Sequence, residues 1–578
     1  MEHAVKINLS HIPFSRYGAY LSLSADFASS KLMIHNVSKS FGEDVMYEVM
    51  FSRDGMEVPV EITADPAVVL VSSKEWRVRF YIRDDEELAV ESEGLDLTFR
   101  QQNQYGYGIA EGSKIHIINI HQHLYTMCQI EKGQGVLLSQ PRYEKGGETG
   151  VKQNFKICCK DEKILAVIRI SDQEKRSLNL PVNPEEDIAG IQKEWEDFKN
   201  KMQDISEERK AYCEITWFNL WSSFVRARGN YAYDTMLMSK KSMCAVWSWD
   251  HCFNALVLAE SDPKAAIEQF LLPFLLQAEN GCLPDMWRPN GEIVWCISKP
   301  PIHGWCFSKL MDKMDIPKNV LKEVYHYLSS WTNWWMEYRD YDRDGIPAYP
   351  MGCDCGWDNA TVFDGGYFVE TPDLPAFLIL QMKCLARIAA ALEDQDGTRH
   401  WEEQAKGLLY SLYEHSYENG RFVSMRDGSH EQLPEDHCLL NCMPLVLGDI
   451  LSQKERACIS QILEAEFLTM WGPATEAKCS KKYESDGYWR GPIWAPSTYL
   501  LADGLNRGGN EALAKKIATG FCEMVEKQAK GNYENFDAVT GKGLRAPGYT
   551  WTASVYFMFV REFLEKKDKK EGQRDGEI

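Results

Sequence analysis

The sequence has no long uninterrupted apolar run, and its start, MEHAVKINLSHIPFSRYG, lacks a basic segment followed by an apolar stretch. A bilayer crossing needs about 20 consecutive apolar residues, so neither a membrane span nor a secretory leader is expected. Positive charge is also in short supply: 64 Lys and Arg against 85 Asp and Glu leave a formal net charge of -21. Nucleic acid and anionic membranes are therefore poor partners, because binding them depends on clustered cations that release counterions. P-loop, dinucleotide fingerprint and HExxH are all missing, so no nucleotide cofactor and no metal chemistry is expected. Cysteine is plentiful, but 17 is an odd number scattered over a large chain. That usage fits reduced thiols and a cytoplasmic setting better than a disulfide framework.

What is present is an ordinary globular composition, 44% hydrophobic and 26% charged, over 578 residues. A chain of that length exceeds one core, so more than one domain is expected. Residues 1–182 show two-residue alternation: in EWRVRFYIRD, Trp76, Val78, Phe80 and Ile82 face one way and Arg77, Arg79 and Arg83 the other. Similar short runs predict an antiparallel β-sandwich. Near Pro184 the period changes. Asn183 is placed to cap a linker helix over 183–209, with Pro184 at its first position and Glu186 three residues after the cap. From 210 to 566 the spacing is helical, as in Leu321, Val324, Leu328, Trp331 and Trp335, or Leu513, Ile517, Phe521 and Val525. Ten to twelve helices are expected there, followed by a disordered tail over 567–578.

Of 18 tryptophans, only Trp76 and Trp195 precede residue 210. Indole faces pack on the apolar faces of sugar rings, which makes this concentration suggestive of carbohydrate binding. Three segments combine tryptophan and carboxylate, the last two with glycine as well, in what read as loops: VWSWDHCF at 246–253, CGWDNATVFDGG at 355–366 and YESDGYWRGPIWAP at 483–496. A fourth, NYENFDAVTGKG at 532–543, sets Glu534 between aromatics. Glycosidic cleavage needs one protonated carboxyl at the leaving oxygen and a second carboxylate opposite, and a flanking indole helps keep an acid protonated. Asp358, directly after Trp357, has that setting.

The order of WSWDH, PPIHGW, DRDGIP, GWDN, YWRGPIW and YENFDAVTGKG resembles glycoside hydrolase family 63 and, more distantly, the trehalases, over roughly residues 210–565. The resemblance implies an (α/α)6 toroid behind the β-sandwich and hydrolysis of an alpha-glucosidic or related bond with inversion. It implies Asp358 as general acid and Glu534 as general base, with Glu484 and Asp486 in reserve. It further implies that Trp249 and Asp250 hold the terminal sugar of a small oligosaccharide or glucoside, that Trp357 and Asn359 flank the acid, that Trp489, Arg490 and Trp494 wall the pocket, and that His303 and Trp305 close it. The chain departs from the usual form in CDCGWDN, where Cys353 and Cys355 replace polar residues. Two other readings keep the tryptophans: a toroid disaccharide phosphorylase, which has no need of the base, and a non-catalytic sugar-binding protein.

Two weaker signals point elsewhere. Asp340, Asp342, Asp344 and Gly345 copy the first half of a calcium loop, but its twelfth position is Met351 in place of Glu, so a tight turn is expected. His116, His121 and His123 are read as exposed histidines of one strand.

Overall fold

In the strand Arg77–Asp84, Val78, Phe80 and Ile82 turn inward, while Arg77 pairs with Glu93 at 2.6 Å and Arg79 bonds Glu91 at 2.8 Å. Tyr81, on the opposite face, is buried because the helix Pro184–Lys199 lies beside it, with the Tyr81 hydroxyl donating to Asp187 at 3.3 Å. The computed structural model describes residues 5–565 apart from 27–30, 40–41, 103–105, 140–141, 145–146, 150, 204 and 434–436. The expected tail, 567–578, lies outside the described residues.

Among the described residues, seven strands form one antiparallel sheet and eight form another. The first runs Leu21–Asp26, Lys31–Asn36, Val45–Arg53, Asp96–Gln101, Phe155–Cys158 and Gln134–Leu137, with Met56–Glu57 added beside Val45–Arg53. The second centres on Leu124–Lys132, Lys163–Ser171, Glu87–Glu93 and Arg77–Asp84. They face each other through side chains such as Phe51 and Phe80, whose rings are 6.3 Å apart, and Tyr47, whose hydroxyl donates to Thr126 at 2.9 Å. This is an antiparallel β-sandwich. His121 and His123 are not on a strand with His116: Lys114–Asn119 ends first, and His123 sits in the turn with φ 52°.

The remaining helices form two concentric rings. The inner one passes through Asp250–Leu258, His303–Lys313, Asp373–Ala391, the tight segment Leu439–Ile450, Ala495–Arg507 and Thr550–Phe559, each against the next, and the last returns to the first. Outside them lie Pro263–Leu271, Lys318–Tyr338, Gln395–Ser416, Gln453–Ile462, Glu511–Glu523 and Glu207–Ser223. This is an (α/α)6 toroid. Burial explains the assignment. Every residue of Asp250–Leu258 and Thr550–Phe559 is buried, whereas Lys318–Tyr338 buries only a stripe built on Leu321, Val324, Leu328, Trp331 and Trp335. Asp373–Ala391 is long and apolar enough to cross a membrane, contrary to the sequence expectation; its apolar surface is instead buried in the inner ring.

The linker helix starts at Pro184 without the expected cap, since the Asn183 side chain accepts no bond from the first turn and instead donates to Glu186 at 2.9 Å. Sandwich and toroid are joined by buried contacts. The Lys240 ammonium donates to Ala19 O at 2.6 Å, Phe224 O at 2.7 Å and Ser15 Oγ at 3.1 Å, and Ser22 Oγ donates to Lys240 O at 2.6 Å.

Candidate active site

Short strands inside the toroid position the site. Val246–Trp247 pairs with Met286–Trp287, and Trp249 immediately precedes the inner helix that begins at Asp250. The segment containing Glu534, read from sequence as a loop, is the strand Tyr533–Phe536, held between Ile493–Trp494 and Gly543–Pro547 in a three-stranded sheet. Glu534 reaches the cavity from this strand, while Phe536 packs on Phe521 of the outer helix Glu511–Glu523. The Asp358 loop is closed at its foot by backbone bonds between Tyr349 and Val369, at 3.0 and 2.9 Å.

These elements enclose a cavity of about 240 Å³ whose walls include Trp249, Asp250, Asp358, Trp489, Trp494 and Glu534. Lys299, Tyr488, Tyr549 and Trp551 also line it, and sequence reading had not singled them out. Tyr488 was legible as part of YWRGPIW; Lys299 stands just before PPIHGW with no motif of its own. Indoles form one wall. Trp489 stacks on Trp494 with centroids 3.7 Å apart and on Trp357 at 4.8 Å, while Trp551 stands edge-on to Trp249 at 5.9 Å. Gly356 lets the chain pass Trp249: its φ is 71°, and a Cβ there would come 2.9 Å from the indole.

Some expected residues stand behind the wall. Trp357 is the back layer of the stack. Asn359 Oδ1 accepts from Trp489 N at 2.9 Å and its amide donates to Gly487 O at 3.0 Å, tying the two motif loops together. Arg490 does not wall the pocket; it donates to Asn359 O at 2.9 Å and pairs with Asp364. His303 and Trp305 do not close the cavity either. His303 starts an inner helix, with Nε2 3.1 Å from Ser248 O and its ring against Phe274, and Trp305 donates to buried Asp503 at 2.8 Å. Two apart on one helix, they point to opposite sides: His303 packs outward against Phe270 and Trp331 of the outer helices, and Trp305 against Phe253 and Tyr499 of its inner-ring neighbours. Glu484 and Asp486 are exposed outside the cavity, and Asp486 pairs with Arg545 at 2.6 Å.

The electrostatics separate the carboxyls. Asp250 is 1% exposed and neither of its oxygens has a hydrogen-bond partner in the protein; burial pushes its carboxyl well above the usual range. Asp358 opens onto the cavity, yet the surrounding protein raises its carboxyl, against the opposing pull of the Lys299 ammonium. Glu534 is buried and pushed up to about 7, although bonds from Tyr488 and the Ala546 N–H, at 3.0 and 3.4 Å, draw it down. The Tyr488 hydroxyl donates to Glu534 at 3.0 Å and lies on the side of the cavity shared with Asp358, with which it interacts electrostatically. The Tyr488 backbone has φ 65°, strained for a bulky residue and held where Trp494 Nε1 donates to Tyr488 O at 3.0 Å. Lys299 is buried against Asp285 at 2.8 Å and donates to Cys353 O at 2.7 Å. A groove of about 1200 Å³ over the sandwich is larger, but it runs along an outer face with Glu93 already paired to Arg77.

Residues 244–552 match the mannosylglycerate hydrolase MGH1-like glycoside hydrolase domain. The chain belongs to this family. It lies within glycoside hydrolase family 63, whose motif order it carries. The mannosylglycerate hydrolase of Thermus thermophilus is 30% identical over 392 residues, covering 54% of this chain and 94% of that protein. Among solved structures, a family 63 mannosylglycerate hydrolase from Thermus thermophilus, in complex with Tris and D-glycerate, aligns with TM-score 0.52 and 18% identity over 61% of this chain and 100% of that one. A bacterial glucoamylase complexed with acarbose aligns with TM-score 0.64 and 12% identity over 96% and 94%. That second likeness extends the shared fold of this family member to the sandwich.

Proposed function

We propose that the cavity hydrolyses an alpha-linked glucoside, or a closely related alpha-glycoside of a small aglycone, with Asp358 as general acid and Glu534 as general base. The observation that carries this reading is the Tyr488 hydroxyl set against both carboxyls. A tyrosine hydroxyl has one proton; donating it to Glu534, it can accept from Asp358 only if Asp358 is protonated. The arrangement suits a protonated Asp358 beside an ionised Glu534, the division of labour that general acid–base hydrolysis needs.

In this reading Asp358 gives its proton to the leaving oxygen while Glu534 takes one from the attacking water. The water's oxygen stays on the sugar and the aglycone departs as an alcohol. Inverting pairs stand roughly 6.5–9.5 Å apart to admit that water, against about 5–5.5 Å in retaining pairs. The partnerless oxygens of Asp250 accept from sugar hydroxyls, and the indoles pack on the ring's apolar faces. At about 240 Å³ the cavity takes little more than one ring.

Mannosylglycerate and glucosylglycerate hydrolases stand among the relatives, so glycosides of short hydroxy acids belong beside alpha-glucosides and alpha-mannosides in the test. Proton NMR in the first minutes of turnover is expected to show the beta anomer accumulating before mutarotation. First release of the alpha anomer overturns the mechanism. Turnover that requires inorganic phosphate, or sugar binding without turnover, transfers the case to the phosphorylase or the non-catalytic reading.

A further inference from the structure

Away from the cavity, four separate segments bring a second set of titratable groups together. Asp340, Asp342 and Asp344 lie in the turn after Lys318–Tyr338, Glu370 ends the short strand Val369–Glu370, His415 is in the last turn of Gln395–Ser416, and Asp427 and His430 follow the strand Met425–Arg426. One ligand atom each from Asp344, Glu370, His415 and His430 falls within 4.8 Å of all the others. Glu370 makes this more than an acidic patch. It is 0% exposed, and both its oxygens lack a hydrogen-bond partner, with Oε1 3.9 Å from His430 Nε2. A buried carboxylate left this way is costly, and either a cation meets it or it holds a proton, burial pushing Glu370 up to about 8. Among the described residues, no Lys or Arg pairs with any of these five carboxylates; their ion pairs are to His415 and His430.

We propose that Asp344, Glu370, His415 and His430 form a structural site for a divalent transition metal of the zinc class, which clamps the foot of the loop carrying Asp358. Tetrahedral Zn2+ with bonds of about 2.0–2.2 Å sets its donor atoms roughly 3.3–3.6 Å apart. Asp344 Oδ2 lies 3.2 Å from both His415 Nδ1 and His430 Nε2, and Glu370 Oε1 3.9 Å from His430 Nε2, close to that spacing. Two imidazole donors suit zinc, whereas Ca2+ takes six to eight oxygens. Asp340 and Asp342 form an outer layer: Asp340 accepts from Asp344 N at 3.2 Å and Gly345 N at 3.1 Å, and Asp342 accepts from Gly428 N at 3.1 Å, while the ion takes Asp342's place as partner of His430 Nε2. Glu370 directly follows Val369, whose bonds to Tyr349 close the loop, so the ion fixes that closure to a helix end and to the Met425–Arg426 strand.

The test is metal analysis of the purified full chain, then calorimetric titration of the chelator-stripped protein with Zn2+ and Ca2+. One Zn2+ per chain is expected, bound at least 100-fold more tightly than Ca2+ and raising the melting temperature by several degrees. Co2+ in its place is expected to give the visible absorption of a tetrahedral ion. His415→Ala, His430→Ala and His430→Gln should each weaken zinc binding more than tenfold and lose the cobalt spectrum while keeping native circular dichroism. Absence of stoichiometric zinc in a folded wild-type protein overturns the proposal in favour of histidine–carboxylate ion pairs alone, even if every variant misfolds. Calcium binding that survives His430→Ala overturns it in favour of an oxygen-only site.

Discussion

Asp358 and Glu534 are close enough to share one hydroxyl, and that closeness makes their roles separable by experiment. Asp358→Asn and Glu534→Gln keep side-chain size and remove one titrating group, so each is expected to lower turnover roughly 100- to 10,000-fold without unfolding. An activated aryl glycoside should partly rescue the acid variant and leave the base variant inactive, because a good leaving group needs little protonation. Equal rescue of both contradicts the assignment. The pH dependence follows from Glu534, held at about 7 mainly by burial. A base must be ionised to act, so kcat/KM should fall about tenfold per unit below about pH 7, with a second limb at the pH where Asp358 gives up the proton it must donate. Tyr488→Phe removes a bond that lowers the Glu534 pKa, so the lower limb should move to higher pH. A kcat loss with that limb unmoved reduces Tyr488 to packing.

The HGW stretch shows how elements can mislead at the level of residues. His303 and Trp305 flank Gly304 in a motif that invites a functional reading, yet Gly304 is where one inner helix touches another. A Cβ there would sit 2.3 Å from Gln381 Cα, with no flexible side chain to yield. Gly304→Ala is therefore expected to cost about 1–3 kcal/mol in denaturant unfolding. A stability change of a few tenths refutes the tight crossing. Periodicity made the strands of the sandwich and the stripes of the outer helices legible, and motif order named the residues that reach the cavity from Trp249 to Glu534. What sequence could not supply has two physical causes. Apart from His303 itself, the buried first turn of His303–Lys313 has no polar residue to mark which side faces the cavity, so Trp305 and His303 read as pocket when they are core. Short strands such as Tyr533–Phe536 have too few residues for alternation to stand out, and lone side chains such as Lys299 owe their place to partners distant in the chain. The same distance hides the His415, His430 and Glu370 cluster, whose members share no spacing.

For the molecule as a whole, the seam between sandwich and toroid depends on Lys240, a buried cation surrounded by carbonyls and a hydroxyl. Its ammonium is held well below its ordinary pKa by burial, and what it provides is hydrogen-bond donors. Lys240→Met keeps the aliphatic stem and removes those donors, leaving Ala19 O without that bond. The expected loss is about 2 kcal/mol or more, read as an earlier unfolding transition. If the midpoint does not move, the seam is held by packing.

The closed ring also sets a schedule for biosynthesis. Thr550–Phe559 packs against both Asp250–Leu258 and Ala495–Arg507, so the first inner helix lacks its neighbour on that side until the ribosome has moved on by roughly 300 residues. At about 5–20 residues per second this is an interval of roughly 15 to 60 s, during which an arc of helices that are largely buried in the finished protein has an open flank. Nascent chains arrested before residue 550 are expected to recruit holding chaperones and to be cut readily by added protease, and release of the last helix should end both. For this architecture, the dangerous moment in the protein's life comes before its synthesis is complete.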